Sequence, residues 1–172
     1  MQVILVNEKD EAIGSMEKIE AHEKALLHRA FSVFIFNKKG EMLLQKRAAT
    51  KYHSAGLWTN ACCSHPQPGE DLLQSATKRL QEEMGFETSL TKAFDFIYNA
   101  PFDNGLTEYE FDHVFIGNYD GGVELNREEV SDYCYKSMAD LKDSVVDNSR
   151  SYTEWFKIAF PKLENYLATV LA

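Results

Sequence analysis

A helical segment with an acidic pair near its end is the feature that most constrains this chain. Its apolar residues recur at helical spacing: Leu72, Leu73, Ala76, Leu80 and Met84. Gly85 follows directly, and glycine commonly caps a helix C-terminus, so the pattern predicts a helix over Asp71–Met84. Glu82 and Glu83 lie in the last turn. Carboxylates must stand three or four residues apart to reach one ion, and at that spacing the chain carries Arg79.

The composition is that of a globular protein with an acidic balance. The chain has 172 residues, 44% hydrophobic and 26% charged, with 27 acidic against 18 basic residues and a formal net charge of -9. This length predicts a single domain over residues 1–172. The acidic balance argues against a nucleic-acid partner, which normally needs a basic face. No feature indicates an obligate protein partner.

Neither a membrane segment nor a disulfide framework is indicated. The longest apolar runs, such as Phe31–Phe36, are far shorter than the roughly 20 residues of a membrane helix. The three cysteines are Cys62, Cys63 and Cys134, an odd number with two adjacent. A reduced, cytoplasmic protein is the simplest interpretation.

The other elements are predicted from apolar patterning and turn residues. Strands are predicted at Val3–Val6, Phe31–Phe36, Glu41–Arg47, Leu57–Asn60, Glu87–Asn99 and Phe111–Tyr119. Glu17–Arg29 predicts a helix or a loop. Met138–Val145 and Tyr152–Leu171 predict helices, the second broken or kinked at Pro161. This order of strands, one central helix, further strands and terminal helices indicates an α+β sandwich.

Histidines and a cysteine form the first candidate site. His22 and His28 are six residues apart and cannot share one face of a straight helix, so the segment must bend if both bind one metal. Cys63 stands two residues before His65, which would place a nucleophile or acid beside a metal ligand or base. The alternative is that the histidines are ordinary half-buried residues and the cysteine a small buried hydrophobe. A zinc ribbon is not favoured, because no second cysteine pair exists.

Two carboxylates complete a candidate metal set. Glu108 and Glu110 are two residues apart, so on an extended segment they point to the same side. A solvated acidic edge is the alternative. Three imidazoles and two carboxylates would form a five-ligand shell suited to Zn, Mn or Fe rather than Mg. Mg²⁺ prefers oxygen, and Glu83 could hold it against a diphosphate.

Basic side chains could supply an anion site in this acidic protein. They are Lys18, Arg47, Lys51 and Arg79. Most lysines are simply surface charges. These side chains could equally gather around a phosphate-bearing ligand.

The region ending at Gly85 resembles the Nudix box. Anchored on that glycine, Ser64 stands at the first Gly of the box and Glu70 at its first Glu, while Glu82-Glu83 matches the acidic pair. The resemblance implies a Nudix-like α/β/α sandwich with a mixed central sheet. Lys78-Arg79 stands where Arg-Glu is expected, so a helical carboxylate of the hydrolytic metal site is replaced. The chain therefore resembles a Nudix fold that no longer hydrolyses.

Longer motifs resemble the type I isopentenyl-diphosphate isomerases. They are Leu27–Ser32, Thr59–Pro66, Glu108–Glu110 and Tyr152–Trp155, and the resemblance runs from about Val3 to Trp155. It implies conversion of isopentenyl diphosphate to dimethylallyl diphosphate in isoprenoid biosynthesis, through a tertiary carbocation. The implied partner is a small diphosphate substrate.

Residue roles follow from the resemblance by position. The implied catalytic residues are Cys63, Glu110, Tyr98 and Trp155. The implied metal ligands are His22, His28, His65, Glu108 and Glu110 for a transition metal, and Glu83 for the Mg²⁺ of the diphosphate. The implied substrate contacts are Lys18, Arg47, Lys51, Ser64 and Arg79. We expect Glu110 to protonate and Cys63 to deprotonate, and Glu17–Arg29 to close over the diphosphate. His53 and His113 match no ligand and are expected to be structural or exposed.

Two other functions compete with isomerisation. A Nudix hydrolase of a nucleoside-diphosphate substrate is favoured by Glu82-Glu83 but not by Arg79 or Ser64, and it leaves Cys63 and Trp155 unexplained. A non-catalytic binding domain would have to treat five potential metal ligands as coincidence.

Overall fold

The structure is a computed structural model that describes residues 1–171, in which nine strands form a sheet with four α-helices around it. The strands are β1 (Gln2–Val6), β2 (Ala12–Glu17), β3 (His28–Phe36), β4 (Met42–Arg47), β5 (Trp58–Thr59), β6 (Cys62–Ser64), β7 (Leu90–Pro101), β8 (Thr107–Asn118) and β9 (Val130–Lys136). The helices are α1 (Lys18–Glu23), α2 (Leu72–Met84), α3 (Met138–Asp147) and α4 (Glu154–Leu171), and a 3-10 turn spans Ser149–Ser151.

Strand β3 is the centre of the sheet. It pairs in parallel with β8 and antiparallel with β1, β4 and β6. Every residue of β3 except Arg29 is buried. A strand buried on both faces needs a continuous apolar sequence, which Phe31–Phe36 provides apart from Ser32. The predicted α+β class with a mixed sheet is confirmed.

Helices cover both faces of the sheet. Alternate residues of β3 point to opposite faces, so Val33 packs in the cluster that contains Leu80 of α2, on one face. Phe34 packs instead in the cluster that contains Phe156 and Leu163 of α4, on the other. The predicted α/β/α sandwich is confirmed by this layering.

Helix α2 has the ends that its sequence predicts. The Asp71 side chain accepts a hydrogen bond from the Gln74 backbone N–H at the N-terminus. Gly85 ends the helix with a φ of 75°. A Cβ on that residue would lie 2.4 Å from the backbone oxygen of Glu124. Only glycine fits both the left-handed backbone and the close approach.

The Glu17–Arg29 segment and two strands differ from the prediction. Glu17–Arg29 is neither one helix nor one loop: α1 ends at Glu23, Ala25 has a φ of 53°, and β3 begins at His28. Strand β2 was not predicted, because its residues are mostly exposed and include Gly14, so the apolar alternation of a strand is absent. Strand β9 was also not predicted, since only Val130 of its residues is buried.

The C-terminal helix also differs from the prediction. Tyr152 is extended and bridges to Trp58, and α4 begins two residues later. Of the two alternatives at Pro161, the break is wrong, because α4 continues through this residue, and the kink stays a prediction. Proline removes one backbone hydrogen bond, and burial of Phe156, Phe160 and Leu163 holds the helix against the sheet. Within residues 1–171 no helix combines the length and apolarity that crossing a bilayer demands.

We predict that Gly85→Ala lowers the melting temperature by roughly 5 °C or more, because it combines left-handed strain with a backbone clash. Gly40→Ala is the matched control, with a φ of 74° but open space around the added methyl, and Gly122→Ala adds its methyl to open space without strain. Thermal unfolding should rank Gly85→Ala as the least stable. Equal melting temperatures for Gly85→Ala and Gly40→Ala would contradict the clash.

Candidate active site

One pocket gathers most of the predicted site residues. Its lining includes Cys63, Ser64, His65, Glu83, Tyr98, Glu108, Glu110 and Trp155, together with the basic residues Lys18, Arg47, Lys51 and Arg79. His22 and His28 do not line it; they are fully buried and lie next to Glu110. The fold therefore brings together residues that the sequence separates by more than 130 positions.

Four side chains form a group that could hold a metal ion. One donor atom from each of His22, His28, His65 and Glu110 lies within 4.8 Å of the others. His22 comes from α1, His65 directly follows β6, and His28 stands in register with Glu110 across the parallel β3–β8 pair. The bend that two histidine ligands would require lies between α1 and β3.

The chemistry of His22 fits a metal ligand. Both ring nitrogens are buried without a hydrogen-bond partner, and Nε2 lies 3.8 Å from a Glu110 carboxylate oxygen. An unpartnered buried polar group is destabilising, and metal coordination would satisfy one nitrogen. Burial also lowers the pKa of His65 to about 4, which favours the neutral imidazole that binds metals.

Glu110 is the centre of this group. Its Oε2 lies 2.8 Å from His65 Nε2 and 3.2 Å from His28 Nε2. Its Oε1 accepts a hydrogen bond of 2.6 Å from the Tyr98 hydroxyl. Burial alone would raise the pKa of Glu110, but its electrostatic interaction with His65 and its hydrogen bonds with the histidine rings hold that pKa well below its usual value.

Glu108 is the predicted ligand that lies outside the four-residue group. Its Oε1 lies 3.1 Å from the oxygen of the Tyr98 hydroxyl, which donates over the shorter distance to Glu110, and its Oε2 lies 3.5 Å from His53 Nε2. Burial and the adjacent Glu110 raise its pKa well above the usual value. Both carboxylates point to the same side of β8, as their spacing predicts, yet in this arrangement Tyr98 and His53 are the neighbours of Glu108. Its role as a ligand stays a prediction.

The two adjacent cysteines face opposite sides of β6. Cys62 is fully buried and its thiol donates to Glu83 at 3.2 Å. Cys63 faces the pocket, with Sγ 3.2 Å from Asn60 Oδ1 and 3.4 Å from Ser32 Oγ. Burial and the charge of Asp112 raise the pKa of the Cys63 thiol. The free protein therefore holds this residue as a thiol.

Three of the basic residues, Lys18, Lys51 and Arg79, cluster at one end of the pocket. Arg79 lies 3.1 Å from Glu129 and 3.5 Å from Glu83, and Lys51 pairs with the same Glu129. Burial, and then the charges of Lys51 and Arg79, lower the pKa of Lys18. Crowded cations of this kind are suited to binding an oxyanion. Glu129, which no motif indicated, is their counter-ion in the structure.

Aromatic side chains form another wall. Trp155 is 4% exposed, and the Arg47 guanidinium carbon lies 5.0 Å from its ring centroid. His53 meets the Trp155 ring edge-on at 5.7 Å and stacks on Phe102 at 4.7 Å. His53 is thus buried in the wall of the pocket, where burial lowers its pKa to about 3. Its isolated position in the sequence gave no signal of this.

His113 lies in a separate cluster. Its Nε2 is 2.9 Å from Asp10, which also pairs with Arg29. The expectation that His113 is structural or exposed is met by a buried, hydrogen-bonded ring, since only 5% of the residue is exposed.

Comparison with known proteins places this geometry in a family. A profile of the NUDIX domain matches residues 26–156. "Isopentenyl-diphosphate Delta-isomerase 2" of Photorhabdus laumondii is 53% identical over 155 residues, covering 90% of this chain and 88% of the relative. The chain belongs to the isopentenyl-diphosphate isomerases of the Nudix family. "Isopentenyl-diphosphate Delta-isomerase" of Pectobacterium atrosepticum is 47% identical over 165 residues, covering 96% of this chain and 92% of the relative.

Solved structures agree on the fold of this Nudix protein. A crystallised Deinococcus radiodurans protein superposes with a TM-score of 0.78 at 18% identity, covering 94% of this chain and 98% of its own. The MutT protein of Methanosarcina mazei gives a TM-score of 0.66 at 20% identity, covering 81% and 94%. At these identities the likeness concerns the fold alone.

We predict that His22→Gln lowers the amount of divalent metal retained per chain about tenfold or more, because it removes one of four converging donors. Metal per chain, measured by mass spectrometry after loading with Zn²⁺ or Mn²⁺ and dialysis, would check this. His113→Gln is the control, since its ring pairs with Asp10 outside the group. Equal metal retention in both variants and the wild type would contradict the site.

Proposed function

We propose that this Nudix protein isomerises isopentenyl diphosphate to dimethylallyl diphosphate by protonation and deprotonation through a tertiary carbocation. The observation that carries the proposal is that Cys63, Glu110 and Trp155 line the same pocket, whose lining also includes the basic cluster. Moving a double bond requires one group to give a proton and another to take one. The names of the relatives point to the same reaction.

The diphosphate would bind at the basic end. Lys18, Lys51 and Arg79 supply cations and Ser64 a hydroxyl. Glu83 would hold Mg²⁺ against the diphosphate, since this cation prefers carboxylate and phosphate oxygens. Binding energy from a group remote from the reacting carbons can then orient the alkene.

A transition metal, Zn, Mn or Fe, would be held by His22, His28, His65 and Glu110, with Glu108 as the fifth ligand. When bound, it would supply positive charge that neutralises Glu110 and fixes its carboxylate. The Tyr98 hydroxyl orients the carboxylate from the other oxygen, at 2.6 Å.

Trp155 would stabilise the carbocation. Water would quench such an intermediate, so the reacting carbons need a dry pocket. The buried indole offers an aromatic face, and a desolvated cation over tryptophan gains about 2 kcal/mol. Because Arg47 already lies against the ring, we expect the carbocation to use the part of the indole surface that this guanidinium leaves uncovered.

Glu110 would act as the acid and give one proton to the planar alkene. Cys63 would act as the base and take another proton from the opposite side. An acid should hold its proton and a base should lack one, but the free protein shows the opposite: the pKa of Glu110 is lowered and that of Cys63 is raised. The assignment therefore requires that metal and substrate binding change both protonation states. Exchanged roles, with Cys63 as the acid, are the alternative.

A Nudix hydrolase of nucleoside-diphosphate compounds is the second candidate, favoured by the Glu82-Glu83 pair and the shared fold. Arg79 argues against it, because its guanidinium lies 3.2 Å from Glu82 and 3.5 Å from Glu83.

Three free cysteines suit a reducing compartment, and we propose that the enzyme works in the cytoplasm.

Incubation with isopentenyl diphosphate, Mg²⁺ and Mn²⁺ in D₂O, followed by proton NMR, should yield deuterated dimethylallyl diphosphate. Deuterium appears because the added proton comes from a group in exchange with solvent. The control is a nucleoside-diphosphate sugar, which should stay intact, with no nucleoside monophosphate or sugar phosphate formed. The reverse pattern would assign the protein to the hydrolases.

An epoxide analogue of the substrate would separate the two proton roles, because opening an epoxide requires an acid. If Glu110 is the acid, the Glu110→Gln variant should consume the analogue about 100-fold more slowly than the Cys63→Ala variant. Mass spectrometry of analogue and protein in a single turnover measures this. Slower consumption by Cys63→Ala would exchange the roles, and wild-type rates in both variants would remove both residues from the chemistry.

A further inference from the structure

A line of buried polar residues links Cys63 to the start of α4. Asn60, Thr59 and Thr153 are at most 2% exposed, and the mechanism above uses none of them. Buried polar groups are costly unless each is hydrogen-bonded, so their partners reveal what they hold in place.

The Asn60 side chain can present only one group to Cys63. Its Nδ2 donates to the backbone oxygens of Val33 and Cys62, both at 2.9 Å. An amide nitrogen has two protons, and both are used. Oδ1 therefore faces the thiol and accepts, from Cys63 Sγ at 3.2 Å and from Thr59 Oγ1 at 2.8 Å.

The direction of each further hydrogen bond follows from this amide. The one hydroxyl proton of Thr59 is donated to Asn60, so toward Thr153 it can only accept. Thr153 Oγ1 donates to it at 3.2 Å and itself accepts from the Phe156 backbone N–H at 3.3 Å. This N–H belongs to the first turn of α4, which also carries Trp155.

The other partner of the thiol is also an acceptor. Ser32 Oγ lies 3.4 Å from Cys63 Sγ, and its own proton is donated to Asp112 at 2.7 Å. Both protein partners of the sulfur thus offer oxygen lone pairs. The thiol proton is directed into the wall of the pocket, which leaves the sulfur lone pairs for the pocket itself.

We propose that Asn60, supported by Thr59 and Thr153, is a positioning residue that orients the Cys63 thiol and fixes the sulfur relative to Trp155. The orientation itself is independent of the reaction. Its catalytic consequence rests on the proposed function, because an isomerase needs its cysteine and its cation-stabilising ring held at a fixed distance across the alkene. A misplaced reacting group can cost up to about 100-fold in rate.

Infrared spectroscopy of the thiol tests the orientation without reference to activity. The S–H stretching band of Cys63 is assigned in each variant by subtracting the spectrum of the same protein with Cys63→Ala. Asn60→Ala removes the acceptor and should move the band to higher frequency. Thr59→Val removes the competing donor, so Oδ1 serves the thiol alone, and the band should move to lower frequency.

Kinetics test the consequence. Thr59→Val should lower kcat about tenfold with KM nearly unchanged, and Thr59→Ser, which keeps the hydroxyl, should restore wild-type kcat. Thr169→Val is the matched control, because its hydroxyl bonds only within the exposed end of α4. Melting temperatures identify variants whose lower kcat only reflects a less stable fold.

The outcomes are distinguishable. Opposite band shifts together with rescue by Thr59→Ser support the proposal. An unmoved band in Thr59→Val overturns it on its own, so the proposal stays testable if Asn60→Ala does not fold. Equal kcat values for Thr59→Val and Thr59→Ser overturn the catalytic part. A wild type without isomerase activity refutes the proposed function, while the infrared result still decides the orientation.

Discussion

The buried carboxylate of Glu110 is the group on which the site depends. It is 5% exposed, and an isolated ionised carboxylate at such a position would be strongly destabilising. Its two oxygens are instead shared between histidine rings on one side and the Tyr98 hydroxyl on the other. Compensation of one charge therefore orders side chains from α1, β3, the end of β6, and β7. The histidines among these neighbours, which make burial tolerable, are also those that a metal would use.

The sheet supplies the geometry that this compensation needs. Parallel pairing of β3 with β8 puts His28 directly beside Glu110, and antiparallel pairing of β3 with β6 puts Ser32 beside Cys63. Residues four apart on β3 thus serve the metal group and the thiol. A slip of one residue would turn every side chain to the opposite face. The buried apolar faces of β3 fix the register, so the core and the site are specified by the same residues.

Sequence reasoning found features with local signatures and missed those created by long-range contact. Helix α2 was predictable because its apolar spacing and Gly85 are local, and the candidate ligands stood in recognisable motifs. The exposed edge strand β2 has no apolar alternation, and α4 continues through Pro161 because tertiary packing outweighs one lost hydrogen bond. His53 lines the pocket, and Glu129 pairs with its basic residues Lys51 and Arg79, only through contacts in space that spacing along the chain cannot reveal.

Arg79 is the residue that most separates the proposed isomerase from a Nudix hydrolase. In the hydrolytic box a carboxylate at this position would join Glu82 and Glu83 in holding metal ions. The guanidinium instead lies close to both, and also 3.1 Å from Glu129. Carboxylates neutralised in this way are poorly placed to activate water, while the added cation increases the attraction for a diphosphate. On the proposed function, this end of the pocket would hold a phosphate bond intact rather than cleave it, which an isomerase requires.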